Sequence, residues 1–138
     1  MTTREMPRRH FTDFSLPRQL WEGFGCAALA GVVSGLTLTA ALWLYLATAG
    51  LAAVAGLPAA TQHRTLRGAL IRTTVGGSVW AGAVLLAAIA TGTASTLPTP
   101  DPVVYLLLTT VPATAAGWIV WTWTNRSSAL APAAALGN

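Results

Sequence analysis

Ionisable side chains divide this chain into three long uncharged blocks. Residues 23–61, 73–100 and 102–125 contain no Asp, Glu, Lys, Arg or His. The shortest of them still holds 24 residues, whereas a bilayer crossing takes about 20 apolar residues at roughly 1.5 Å of rise each. Hydrocarbon offers backbone amides no water, so a crossing segment must be a helix or belong to a closed barrel. Barrel strands would alternate in polarity over roughly ten residues. The run AVLLAAIA at 83–90 does not alternate, and the expected fold class is all-α, a multi-pass transmembrane helical bundle.

Composition agrees with this. Charged residues make up 9% of the chain and hydrophobic ones 54%, against about 25% charged in an ordinary soluble domain. The eight basic residues are all arginine, the formal charge is +4, and the arginines are clustered instead of spread over a surface. That pattern suits lipid headgroups as a partner and argues against nucleic acid. The expected headgroup contacts are Arg8, Arg9, Arg18, Arg64, Arg67, Arg72 and Arg126.

Residues 1–16 read as a basic, partly disordered N-terminal segment and 127–138 as a disordered C-terminal tail, leaving 17–126 as the transmembrane domain. Ser15 suits the cap of a first helix that carries Pro17 in its opening turn. A signal peptide does not fit, because its apolar core spans about 7 to 15 residues and the block here is much longer.

Residues 23–61 pose the main difficulty. As one helix they would reach roughly 58 Å, nearly twice the hydrocarbon thickness. Trp21 on one side and Trp43 with Tyr45 on the other look like interfacial anchors, which sets a first helix at about 17–46. Gly50 and Gly56 then interrupt, and Pro58 suits a new helix start. The favoured reading has three long helices, about 17–46, 58–95 and 103–124, with a short interfacial or re-entrant segment after the first. Its weakness is charge: Arg4, Arg8, Arg9 and Arg18 fall on one side and the other four arginines opposite, leaving no positive-inside bias. With four crossings, the alternative, all eight would share a side.

The remaining punctuation is plain. Three prolines at 98, 100 and 102 enforce a turn, and the last helix ends in Trp118, Trp121 and Trp123 beside Arg126, a further set of interface anchors. Small residues recur at four-residue spacing along the first helix at Gly23, Ala27, Gly31, Gly35 and Thr39, with GVVSG at 31–35. Such a face lets another backbone come close in lipid. Weaker rows are Ala83, Ala87, Thr91, Ser95 and Thr109, Ala113, Gly117.

No catalytic constellation is legible. Ionisable groups inside spans usually mark proton relays or ion paths, and none falls within these blocks. His10 and His63 lack Cys or acidic partners at ligand spacing, the lone Cys26 reads as a small hydrophobe, and no phosphate loop or nucleophile motif occurs. The expectation is a chain without catalytic, cofactor or metal sites. It would act as an accessory or structural subunit, packing on itself or on a larger membrane partner. The alternatives are a self-associating permeabilising protein of the holin or defence-effector kind and, further off, a small oligomeric transporter or channel. The expected location is the cell (inner) membrane with a cytoplasmic N-terminus, a virion membrane being the alternative.

Overall fold

In the computed structural model residues 15–99 and 101–135 are described, with side chains as far as 127. Every element among them is helical: α1 (Leu16–Thr37), α2 (Leu42–Thr61), α3 (Leu66–Ala90) and α4 (Pro102–Ala135). Each is long and apolar enough to cross a membrane, α4 over Pro102–Ser127. The protein is a multi-pass, all-α integral membrane protein with four such helices.

Four helices replace the three expected because the first block folds back on itself at residues 38–41. Thr37 and Thr39 donate their hydroxyls to the carbonyls of Ser34 and Leu36, at 2.6 and 2.7 Å. The backbone ladder tightens to three-residue steps from Leu38 to Ala40, and Ala41 is fully extended (φ −172°, ψ 145°) ahead of α2. Hydroxyls that bond back to nearby carbonyls compete with the helical ladder. The segment expected to lie at the interface therefore forms most of α2. Pro58 sits within α2 near its C-terminal end instead of opening a helix.

The other boundaries follow local chemistry. Ser15 stands at the N-cap of α1, but its side chain makes no capping bond. Thr65 does cap α3, accepting from the Gly68 amide at 3.1 Å. Gly92 follows α3 with φ 72°, the left-handed conformation that glycine adopts without strain. Asp101 caps α4 by accepting from the amides of Val103 and Val104 at 2.8 and 3.1 Å. Pro112 leaves α4 unbroken, and α4 runs on to Ala135, through most of the stretch expected as a tail. The expectations for residues 1–14 lie outside the described residues.

Pairs of contacting residues give the topology. Between α1 and α3 the numbering offset stays near 49: Arg72 bonds to Gly23, Gly31 faces Trp80, and Gly35 faces Val84. A constant offset means these helices run parallel. Between α3 and α4 the numbers run in opposite senses, with Thr74 on Thr114 and Ser78 on Thr110, so these are antiparallel. Tyr45 meets Tyr105 near the starts of α2 and α4, and Trp121 reaches His63 near their ends, making that pair parallel. The result is an up-down-up-down bundle.

The tightest contact joins α1 to α3. A Cβ built on Gly31 would run into the Trp80 carbonyl and lie 2.8 Å from the Ala83 Cβ; one on Gly35 would lie 2.6 Å from the Ala87 Cβ. Where α4 meets α3, a Cβ at Gly117 would sit 2.5 Å from Thr73. Gly82, by contrast, has nothing within 4 Å.

Replacing Gly31 and Gly35 together by Leu should lower the thermal unfolding midpoint in mild detergent, with each overpacked site costing on the order of 1–3 kcal/mol. Gly82→Ala, with open space and a helix-favouring residue, should hold or raise it by up to about 1 kcal/mol. Equal midpoints for the double variant and the wild type would contradict the packing just described.

Candidate functional site

Polar side chains gather at three places. The first is at the bundle end where α2 and α4 begin. Tyr45 (4% exposed) and Tyr105 (2%) are the chain's two tyrosines, and their hydroxyls face each other at 2.8 Å. Tyr45 also stacks on Trp80, with ring centroids 6.5 Å apart and planes at 28°. Leu38, Ala81, Val84, Ala88 and Leu97 close around them. Tyr45, expected as an interfacial anchor, is therefore a core residue. Its place beside Trp43 at the end of the expected first helix suggested an anchor, and only a partner 60 residues away turns it inward.

The second place is the part-buried seam between α3 and α4. Thr74 and Thr114 pair at 2.8 Å and Ser78 and Thr110 at 3.3 Å. A similar pair, Thr37 with Thr48 at 3.2 Å, links α1 to α2. These bonds satisfy hydroxyls that lipid would leave unpaired, each worth about 1 kcal/mol or less.

The third lies at the other end, where α1 and α3 start. Residues Trp21–Gly25 form a π-helical turn within α1, with the Cys26 amide bonding back to Trp21. Such wide turns recur where side chains reach into a helix. Here Arg72, half-buried on α3, donates Nη1 to the Gly23 carbonyl at 3.1 Å and Nη2 to the Glu22 carbonyl. The Glu22 carboxylate is engaged by Arg18, 2.8 Å away. His63, in the loop before α3, is held below its ordinary pKa, first by burial and then by the charge on Arg72.

The other expected residues are distributed as follows. Gly31 and Gly35 lie in the α1–α3 contact and Gly23 is buried beside Arg72, whereas Ala27 is half-buried and Thr39 is exposed in the turn after α1. The face read as one continuous stripe thus ends at Gly35, shortly before the helix itself ends at Thr37. Arg18, Arg64, Arg67 and Arg126 are exposed at the same end of the bundle as Arg72, which alone among them turns inward. Arg8 and Arg9 lie outside the described residues. Trp21, Trp43, Trp118 and Trp123 are exposed. Trp121 is half-buried and donates its indole N–H to the His63 carbonyl at 3.2 Å. The Tyr45–Tyr105 pair and the inward Arg72 were missed from the sequence; Arg72 lies directly against an uncharged block, but so does the exposed Arg126, so that position gave no signal.

Among the described residues no three His, Cys, Asp or Glu side chains converge as metal ligands would. No protein-family model, curated protein or solved structure matches the chain.

The tyrosine pair invites a double-mutant cycle. Tyr45→Phe leaves a buried Tyr105 hydroxyl without its partner and should cost about 1–2 kcal/mol, as should Tyr105→Phe. The double Phe variant removes both polar groups and should cost less than the two singles combined. Strict additivity in detergent unfolding would mean that the hydroxyls do not interact.

Proposed function

We propose that the chain is a small non-catalytic membrane subunit that docks within the bilayer on a second copy or on a larger membrane protein. Its arginine-rich end and N-terminus would face the cytoplasm across the cell membrane. Support for the docking role comes chiefly from where the polar groups go. Hydroxyls pair across helices as Thr37 with Thr48, Thr74 with Thr114 and Ser78 with Thr110, and Ser34 is fully buried. A permeabilising protein would need such groups on an outward face to line an oligomeric lumen. The outward faces carry large apolar residues such as Leu51, Leu86 and Val111. Of the four helices α2 buries the smallest share of itself in the chain, and a side chain added at its Gly50 or Gly56 would meet nothing among the described residues. It is the helix with the largest share of itself left for a partner.

Orientation rests on charge. Arg18, Arg64, Arg67, Arg72 and Arg126 share one end of the bundle, while the opposite end carries Asp101. Arginine-rich flanks are held on the cytoplasmic side of a bilayer. In a Cys26→Ser background, cysteines placed at Thr61 and Thr99 should respond oppositely to an impermeant reagent in right-side-out vesicles, Thr99 labelled and Thr61 protected. The reverse pattern would invert the orientation; labelling of both or neither would contradict four crossings.

The functional test is leakage of dye and protons from proteoliposomes across a range of protein densities. A docking subunit should leave them sealed at every density. Leakage that climbs steeply with density and drops in Ser78→Val/Thr91→Val would replace the docking role with permeabilisation.

A further inference from the structure

Between α3 and α4 the outer surface of the bundle holds a groove of about 560 Å³, within the roughly 300–1,000 Å³ range of ligand sites. Leu70 and Thr74 line it from α3, and Val111, Thr114, Ala115 and Trp118 from α4. Val111 and Trp118 are 61% and 51% exposed, so the groove opens outward. Its floor suits hydrocarbon although it holds two threonines. Thr114 donates its hydroxyl to the Thr110 carbonyl at 2.8 Å, which makes Thr74 the donor in the Thr74–Thr114 pair and leaves neither proton unpaired. Helical spacing carries the groove to a charge. Arg67 precedes Leu70 by three residues and Thr74 by seven, the spacings that share one helix face, and it stands in the first turn of α3, about 10 Å from Thr74 along the axis. It is exposed and makes no hydrogen bond or ion pair among the described residues. Continuing the register of Thr74 on Thr114 and Ser78 on Thr110 sets Arg67 level with Trp121, about one turn beyond Trp118. Trp118 thus lies just inside the arginine, where indole rings favour the headgroup boundary of a bilayer.

We propose that this groove holds one anionic phospholipid of the surrounding bilayer, its phosphate at Arg67, its glycerol against Trp118 and one acyl chain along Thr74, Val111 and Ala115. Charge selects the occupant. The carboxylates among the described residues are Glu22, engaged by Arg18 on α1, and Asp101 at the far end of the bundle. Arg67 therefore offers its charge outward, and the exposed Arg64 and Arg126 add to the same field. Basic pockets between transmembrane helices recognise anionic headgroups. A zwitterionic lipid would bring a cation of its own among these arginines, a like-charge contact that an anionic lipid avoids. A soluble anion would use the arginine alone and leave the apolar groove without a role, whereas a phospholipid fills both. The site rests on the α3–α4 pairing and holds whether or not the chain docks on a partner.

The test uses the full chain in nanodiscs of phosphatidylglycerol and phosphatidylcholine, with lipid retention followed by native mass spectrometry. Wild type should retain phosphatidylglycerol in preference to phosphatidylcholine. Arg67→Gln should reduce that preference about fivefold, whereas Arg64→Gln, the same charge lost in the loop before the Thr65 cap, should leave it nearly unchanged. Ala115→Phe fills the groove at an exposed position and keeps every arginine; it should lower phosphatidylglycerol retention as much as Arg67→Gln does. Equal losses for Arg67→Gln and Arg64→Gln would reduce the effect to diffuse surface charge and overturn the proposal. Wild-type retention in Ala115→Fhe's place of the groove is excluded by the same logic: full retention by Ala115→Phe would take the groove out of the site. Equal retention of both lipids by wild type, or displacement of the lipid by millimolar inorganic phosphate, would overturn it too.

Discussion

The close approach of α1 to α3 at Gly31 and Gly35 is the contact on which the rest of the bundle is arranged. Lipid tails are as apolar as the side chains they touch, so burial gives these helices little reason to associate. What remains is dispersion at short range, and it requires that backbones come near. Removing the Cβ at two positions one turn apart lets α1 settle against Trp80, Ala83, Val84 and Ala87. This contact fixes α1 and α3 as a parallel pair, and α2 and α4, joined by short turns, must each return antiparallel to the helix before.

The two ends of the bundle then specialise. Where α2 and α4 begin, Tyr45, Tyr105 and Trp80 build an aromatic core in which one hydroxyl answers another. Where α1 and α3 begin, the core gives way to Arg72 and a widened helical turn that turns two carbonyls to it. Between them the α3–α4 seam is held by hydroxyl pairs that would be costly if left open to lipid. Several hydroxyls in the middle are thus paired across helices, while the arginines gather at one end and Asp101 stands at the other.

Much of the membrane character was legible in the residue order. Length and the absence of charge suffice to make an apolar block a spanning helix, because the hydrocarbon leaves the backbone no other partner. The small-residue row and the proline turn before α4 were also readable, since glycine and proline act through local sterics. The break after Thr37 was not. No glycine or proline marks LTLTA at 36–40, and the threonine hydroxyls that turn the ladder there also occur at Thr48, Thr91 and Thr109, within or at the ends of continuous helices.

The sequence by itself determined that this protein lives in a bilayer as helices, because transfer free energy and backbone pairing depend on runs of residues and not on their neighbours in space. Tertiary structure decided what each interior group meets. Gly31 and Gly35 could have faced another chain, and the fold spends them on α3. Tyr45 could have sat at the interface, and Tyr105 draws it into the core. Arg72 could have reached for water, and the π-helical turn of α1 receives it. Each of these outcomes joins residues roughly 50 to 60 positions apart, a distance over which only the packing of whole helices can carry information.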